Sequence, residues 1–481
     1  MTEPRALLVR GALELWTGRP GAAMRHAGGA DVRIRDGVVA AIGTLASEPG
    51  ERVLDAGGCV IYPGWVNTHH HLFQSLLKGV PEGLHLPLTP WLAAVTVPYR
   101  RHFDREHMLR IAVRIGLVEL ALSGCSTVAD HQYLNWPGMP YDASAVVFDE
   151  AGKLGLRLVL ARGGQTLART FAVEAPPQAA PETLDAMLTA LEADVRRFHD
   201  AGPRPMRRVA AALNTPTWGC RPDELAAIAA AARRLGVRLH SHLSESDDYV
   251  RWAREVRRCT PLQFVAEHGW VGPDVWYAHM VHLDDDEIRL CAATGTGVAH
   301  CPQSNARLGS GIARVPEMLA AGVPVGLAVD GAASNEAADM ASEAHACWLL
   351  HRADPRRGAR RRDMPMPGGD PAALSVEDVV HLGTAGGARV LGLDEPGGRG
   401  GIGTLEVGAA ADLAVYDLDD PRHFGLHDPA IAPVASGARP RLRALVVGGR
   451  VVVEHDRIPG LDLAELRHDA RSLVAAMRST Y

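Results

Sequence analysis

Lysine is almost missing from this sequence. Of its 50 basic residues only Lys78 and Lys153 are lysine, and the rest are arginine. Aromatic residues make up 5% of the 481 positions, so aliphatic side chains must fill most of any large core. The seven cysteines (Cys59, Cys125, Cys220, Cys259, Cys291, Cys301 and Cys347) form no CxxC pair. That excludes a disulfide framework and a cysteine-only zinc site, and it fits a reducing cytoplasm. No stretch approaches the roughly 20 apolar residues of a membrane span, and the opening Met-Thr-Glu-Pro carries no basic-then-apolar leader. A net charge of −6 gives no electrostatic ground for binding nucleic acid or an anionic membrane. The expectation is a soluble cytoplasmic protein with neither of those partners; a homo-oligomer stays open. What the chain has in quantity is apolar residues, at 47%, and glycine, at 50 positions.

Seven of those glycines fall at a recurring place. A helical stretch ends in Gly, a short β-branched run follows, and the run ends in a polar residue. The pattern runs through Leu117–Gly124 into Ser126–Asp130, Ser144–Gly155 into Leu156–Arg162, and Leu184–Gly202 into Arg208–Asn214. It continues through Asp223–Gly236 into Val237–His242, Pro261–Gly269 into Val275–His279, Asp284–Gly295 into Gly297–His300, and Val315–Gly322 into Val325–Asp330. Glycine ends helices because it tolerates the left-handed conformation. With Cys59–Asn67 these runs predict eight strands alternating with helices, the pattern of an α/β fold closed as a (β/α)₈ TIM barrel. The flanks read instead as short strands between Gly turns (Ala6–Trp16, Val32–Ile42, Asp412–Asp417, Leu445–Val453), and two such halves can pair into one small β domain. The expected division is 1–62 for the first half of that domain, 63–390 for the barrel, and 391–481 for the second half with an amphipathic helix over Leu461–Met477. Arg352–Gly369, rich in Arg, Pro and Gly, reads as a solvated loop rather than an anion-binding patch.

The barrel places polar residues at its strand ends, where barrel enzymes carry their chemistry. In Asn67-Thr68-His69-His70-His71 strand alternation points His69 and His71 one way and His70 the other. His242 ends the fifth strand, with Glu245 just beyond it, and Asp330 ends the eighth. Each has a bland alternative: packed histidines, or an aspartate capping a helix. Together, three imidazoles and one carboxylate at one barrel mouth make a catalytic divalent-metal site with room for a water. His279 ends the sixth strand, placed to touch that water. His282 and His300 are expected to hydrogen-bond loops, while His240 is open between supporting a ligand and packing.

The run Pro63–Leu72, with His242, Glu245, Ala278–His282, His300–Asn305 and Asp330–Asn335, resembles the amidohydrolase superfamily, in the aminohydrolase branch with guanine, S-adenosylhomocysteine and triazine hydrolases. The likeness extends to Gly403–Gly408 and Ala411–Leu413 and implies a distorted barrel with a β-sandwich built from both termini. Members with two metals bridge them by a carboxylated lysine at the end of strand 4. Here that strand ends Ala212-Leu213-Asn214-Thr215-Pro216 and the two lysines lie elsewhere, so one metal ion is expected, zinc first, with iron(II) and manganese(II) open. Within the branch, Arg162–Gly164, Trp276–His279 and Val329–Asp339 are most similar to isoxanthopterin deaminases, with 8-oxoguanine deaminases as near neighbours.

The expected chemistry follows. A divalent ion lowers the pKa of bound water from about 15.7 toward roughly 7. Asp330 ligates and accepts the water's proton, His279 orients the attack, and Glu245 protonates a ring nitrogen and then the departing amine. Gln74 matches the substrate-amide-reading position of the family and suits a 2-amino-4-oxo ring edge, with a surface glutamine as the alternative. Arg162 is expected to pair with a second oxo group, or else to make a rim salt bridge. Trp91 and Tyr133 are candidates for stacking on a flat heterocycle, or for core packing. The function expected is deamination of a small heterocycle, a pterin first, with 8-oxoguanine or guanine and triazine-type chlorohydrolase or aminohydrolase chemistry as alternatives. A metal-free, non-catalytic scaffold is disfavoured by the intact polar set.

Overall fold

The computed structural model describes residues 6–26, 29–169, 173–354, 374–394 and 400–479. Most of the Arg-rich stretch Arg352–Gly369 lies outside the described residues. Six strands precede the barrel: β1 (Ala6–Arg10), β2 (Glu14–Leu15), β3 (Asp31–Arg35), β4 (Val38–Gly43), β5 (Arg52–Asp55) and β6 (Cys59–Pro63). The barrel strands are β7 (Trp65–His70), β8 (Cys125–Gln132), β9 (Arg157–Arg162), β10 (Arg207–Leu213), β11 (Leu239–Leu243), β12 (Val275–His279), β13 (Gly297–His300) and β14 (Val325–Leu327). Three follow: β15 (Leu413–Asp417), β16 (Arg441–Val447) and β17 (Arg450–Glu454).

Strands β7 to β14 lie side by side in sequence order, all parallel. The ends of this sheet meet: Thr68 Oγ1 donates to the Leu327 carbonyl at 3.0 Å and Val329 N to Asn67 Oδ1 at 3.1 Å. Asp330 N donates to the His69 carbonyl at 3.1 Å. The last two contacts carry the chain from the eighth strand directly against the first, at the mouth where His69 and His71 emerge. Caps fix where the helices begin and end. Asp284 and Glu287 form a reciprocal capping box at the start of the helix Asp285–Thr294, and Gly295 ends it at φ 73°.

One expected strand is two. The run Cys59–Asn67 divides at Gly64: β6 pairs with β15, while β7 opens the barrel against β8. The flanks form two sheets, ordered β4-β3-β1-β5 and β17-β16-β15-β6-β2. Only the second mixes the two ends of the chain. Between them Val9, Ile34, Ile61, Leu413 and Val446 make a separate buried core, the filling of a small sandwich. A bidentate ion pair ties this sandwich to the barrel: Arg157 of β9 holds Asp412 at 2.6 and 2.9 Å, and both are buried. The helix expected over Leu461–Met477 spans Leu463–Arg478 and packs on the helix Glu106–Leu122.

Candidate metal centre and active site

The three histidines expected as ligands are each tied down through Nδ1. His71 Nδ1 meets the His131 carbonyl at 2.8 Å, and His242 Nδ1 meets the Asn214 carbonyl at 2.5 Å. A carbonyl only accepts, so both Nδ1 atoms carry the proton. His69 Nδ1 meets His240 Nε2 at 2.8 Å, while His240 Nδ1 donates to the Trp276 carbonyl at 3.0 Å. His240, stacked on Trp276 with ring centres 4.3 Å apart, therefore accepts from His69 and fixes its tautomer too. Burial lowers the pKa of all three expected ligands, that of His71 to about 3, so the rings are neutral and their Nε2 atoms are bare lone pairs.

Those lone pairs converge. His71 Nε2 lies 3.1 Å from His242 Nε2, and Asp330 Oδ1 lies 3.2 Å from His69 Nε2 and 3.3 Å from His71 Nε2. His69 Nε2 is buried without a hydrogen-bond partner. Three nitrogen lone pairs and a carboxylate facing one another in a buried pocket repel unless a cation sits among them. Neutral imidazole and ionised carboxylate are also the forms that ligate metals. The donor set therefore fits a divalent ion. Neither lysine belongs to it: Lys78 pairs with Glu119, and Lys153 with Asp149 and Glu150.

Asp330 stands three residues beyond the end of β14, at φ 62°, rather than within the strand as the sequence suggests. Its Oδ2 accepts from Ser304 Oγ at 2.6 Å and Ser334 Oγ at 3.2 Å. Burial alone would raise its pKa, but His69, His279 and His71 outweigh that and hold it well below the usual carboxylate range. His279, also left-handed at φ 74°, meets Asn305 Oδ1 through Nδ1 at 2.9 Å. Its Nε2 faces Glu245 Oε2 at 3.6 Å and Asp330 Oδ2 at 4.0 Å. Glu245 is buried with few compensating partners, and burial pushes its carboxyl up to about 8. The site thus holds two carboxyl groups whose surroundings drive them apart, one ionised and one neutral near pH 7. His70 points away, its Nδ1 bonded to the Asp330 carbonyl.

Above this cluster opens a cavity of about 580 Å³ lined by His71, Gln74, Trp91, Tyr133, His242, Glu245, His279 and Asp330, among others. Gln74 and the two candidate stacking rings are thus brought to the site. Gln74 Nε2 donates to Tyr133 OH at 3.1 Å, and its Oε1 is buried without a partner. A Cβ on Gly331 would sit 2.0 Å from that Oε1, so the residue after Asp330 has no room for a side chain while Gln74 is in place. Arg162 is a correction. It is buried in a bidentate pair with Glu182 at 2.8 and 2.6 Å and does not line the cavity. The second glycine after it explains the geometry, since a Cβ on Gly164 would stand 2.8 Å from Glu182 Oε2.

The cavity's cations are residues the sequence reading passed over: Arg100 and Arg169. Arg100 lies with its guanidinium 4.9 Å from the centre of the Tyr133 ring, and burial lowers its pKa. It follows a π-helical turn over Leu92–Thr96 whose Leu92 and Thr96 also line the cavity. His131, at the end of β8, was also missed. It groups with His69, His71 and His242 within 4.8 Å, and neither of its ring nitrogens has a partner. The strand-end rule that found His242 and His279 applies equally to Asp130-His131-Gln132 and could have found it.

Residues 60–452 match the Amidohydrolase family, and the chain belongs to it. It is 55% identical over 478 residues to an isoxanthopterin deaminase from an unidentified prokaryote, covering 98% of this chain and 97% of that one. It is 36% identical to an 8-oxoguanine deaminase of Pseudomonas aeruginosa, covering 90% and 91%. Its fold superposes on atrazine chlorohydrolase of Arthrobacter aurescens, complexed with zinc, with a TM-score of 0.86 at 28% identity over 97% and 100% of the two chains. The protein is a metal-dependent hydrolase acting on carbon–nitrogen bonds. Among the described residues no helix is long and apolar enough to cross a membrane.

Proposed function

We propose that the chain is a hydrolytic deaminase of a 2-amino-4-oxo heterocycle, isoxanthopterin first, releasing ammonia and the 2-oxo product. The observation that carries this reading is the buried Glu245 carboxyl, raised by burial and 3.6 Å from His279 Nε2, beside the converging imidazoles and Asp330. An amine leaving group needs a proton, and a halide does not. Chlorohydrolase chemistry would have less need of Glu245, using only its proton transfer to the ring nitrogen and not the one to the leaving group. The 55% likeness to an isoxanthopterin deaminase supports the pterin over 8-oxoguanine, at 36%.

His69, His71, His242 and Asp330 would hold one divalent ion, zinc in the first instance, which supplies Lewis acidity and an ionised water at neutral pH. The chain's own groups do the rest. Asp330 Oδ2, braced by Ser304 and Ser334, takes the proton of the attacking water. Glu245 gives its proton to the ring nitrogen beside the attacked carbon, drawing electron density away, and then conveys a proton to the amine. His279, its Nδ1 proton held by Asn305 Oδ1, accepts from the attacking water at Nε2 and so orients the attack. Gln74 Oε1 accepts from the ring N–H, and Trp91 and Tyr133 flank the ring. The barrel over 63–390 carries this site, with the terminal segments 1–62 and 391–481 as its support. Ammonia release across isoxanthopterin, pterin, 8-oxoguanine, guanine and cytosine tests the substrate. The highest kcat/KM is expected on isoxanthopterin, and a purine turned over faster would replace the pterin.

A further inference from the structure

The helix Met340–Ala353 carries Glu343, Cys347 and His351 at four-residue spacing, so all three lie on one face. That face is turned inward: all three side chains are completely buried. Opposite stands His300, the last residue of β13, with its Nε2 3.0 Å from His351 Nε2. His300, Cys347 and His351 each place a ligand atom within 4.8 Å of the others. His300 Nδ1 is buried without a partner, as is one oxygen of Glu343. Burial first, and then neighbouring carboxylates, drive the Cys347 thiol and the Glu343 carboxyl toward their neutral forms. The metal centre described above uses none of these groups.

We infer that His300, Cys347 and His351 form a second, structural site for a soft divalent ion of the zinc type, with Glu343 as the nearby compensating carboxylate. Two nitrogens on one tetrahedral ion at ~2.0–2.1 Å stand about 3.4 Å apart, close to the spacing of the two imidazoles, and thiolate with imidazole is a donor set that selects zinc over magnesium or calcium. On binding, Cys347 and Glu343 each lose a proton to solvent, and the thiolate and the carboxylate together balance the ion's two charges. The consequence is mechanical. Glu343 Oε1 accepts from Gln303 N at 2.8 Å, and the next two residues, Ser304 and Asn305, hold Asp330 and His279. An ion at His300 and Cys347 therefore pins the segment that positions the catalytic groups. Being fully buried, it enters as the chain folds and exchanges slowly.

Zinc-edge X-ray absorption on the wild-type protein, purified from zinc-supplemented cells, tests this. A sulfur neighbour at ~2.3 Å is expected, since no other cysteine joins a metal-competent group among the described residues. Metal analysis is expected to find about one equivalent more in the wild type than in Cys347→Ser. Nitrogen and oxygen neighbours alone in the wild type would overturn the inference, whatever the total metal content. So would a sulfur signal that survives in Cys347→Ser. Should that variant fail to fold, the wild-type spectrum decides alone.

Discussion

Replacing Glu245 by Gln changes one property of the site almost in isolation. The amide is nearly isosteric and still reaches His279, 3.6 Å away in the wild type, but it has no carboxyl proton to give up and take back. Glu245 is not among the groups that converge on the metal position, so metal content should be unchanged. Burial raises the carboxyl to about 8, leaving roughly nine-tenths of it protonated at pH 7. A positioned general acid contributes about 10²–10⁴-fold, so kcat for ammonia release should fall by that factor, ~3–5 kcal/mol of barrier. The pH profile gives a second, independent readout. Because the protonated form does the work, wild-type kcat/KM should decline as pH rises through about 8, and the residual activity of the variant should lack that limb. Steady-state ammonia assays from pH 6 to 9.5, with metal analysis of the same samples, measure both. Near-normal turnover with metal in place would remove Glu245 from the proton pathway.

Arg162→Met should act on stability rather than on substrate choice: it leaves the half-buried Glu182 without its partner, a loss of ~1–3 kcal/mol. Thermal unfolding should show a drop in Tm; a stable variant with a selective loss on dioxo substrates would return Arg162 to the cavity. Gln74→Leu should raise KM for isoxanthopterin at least tenfold, with a smaller change for a ring lacking the N–H/C=O edge, because a buried acceptor meeting that edge is lost; equal KM values would make Gln74 structural. Asp130 is buried against the Leu72 amide, and burial lifts its carboxyl to about 7. A carboxyl raised on folding favours the folded state below its unfolded pKa and loses that contribution as pH rises through the folded one. Relative to wild type, Asp130→Asn should therefore gain ~3–4 kcal/mol between pH 4 and pH 8, read as a widening gap in denaturant midpoints; a gap constant with pH would refute it.

Most of the barrel was legible because its rule is local and repeated: a Gly-ended helix, a short apolar run, a polar terminus. The exceptions share a cause, which is pairing partners far away in sequence. Cys59–Asn67 looks like one apolar run, and only β15, some 350 residues on, splits it by claiming the first half. Asp330 reads as a strand end, yet the hydrogen bond from its amide to His69 O and its left-handed backbone place it past the strand. That His69, His71 and His242 come together, with Gln74 lining the same cavity, was visible through strand alternation and motif. Arg162 was not decided by its position, since the same strand end serves a ligand or a salt bridge, and Glu182 settled which. Arg100 and Arg169 carry no spacing signal, because the π-helical turn and loop that bring them to the cavity leave no period in the sequence.

The most direct test of the central claim is restoration of activity to metal-stripped protein. Ammonia release from isoxanthopterin should disappear when chelation empties the His69, His71, His242 and Asp330 cluster, and it should return on adding about one equivalent of zinc. His242→Ala, treated the same way, should stay inactive. Full turnover by the stripped wild type, or recovery of His242→Ala to the wild-type rate, would contradict a catalytic metal at this cluster.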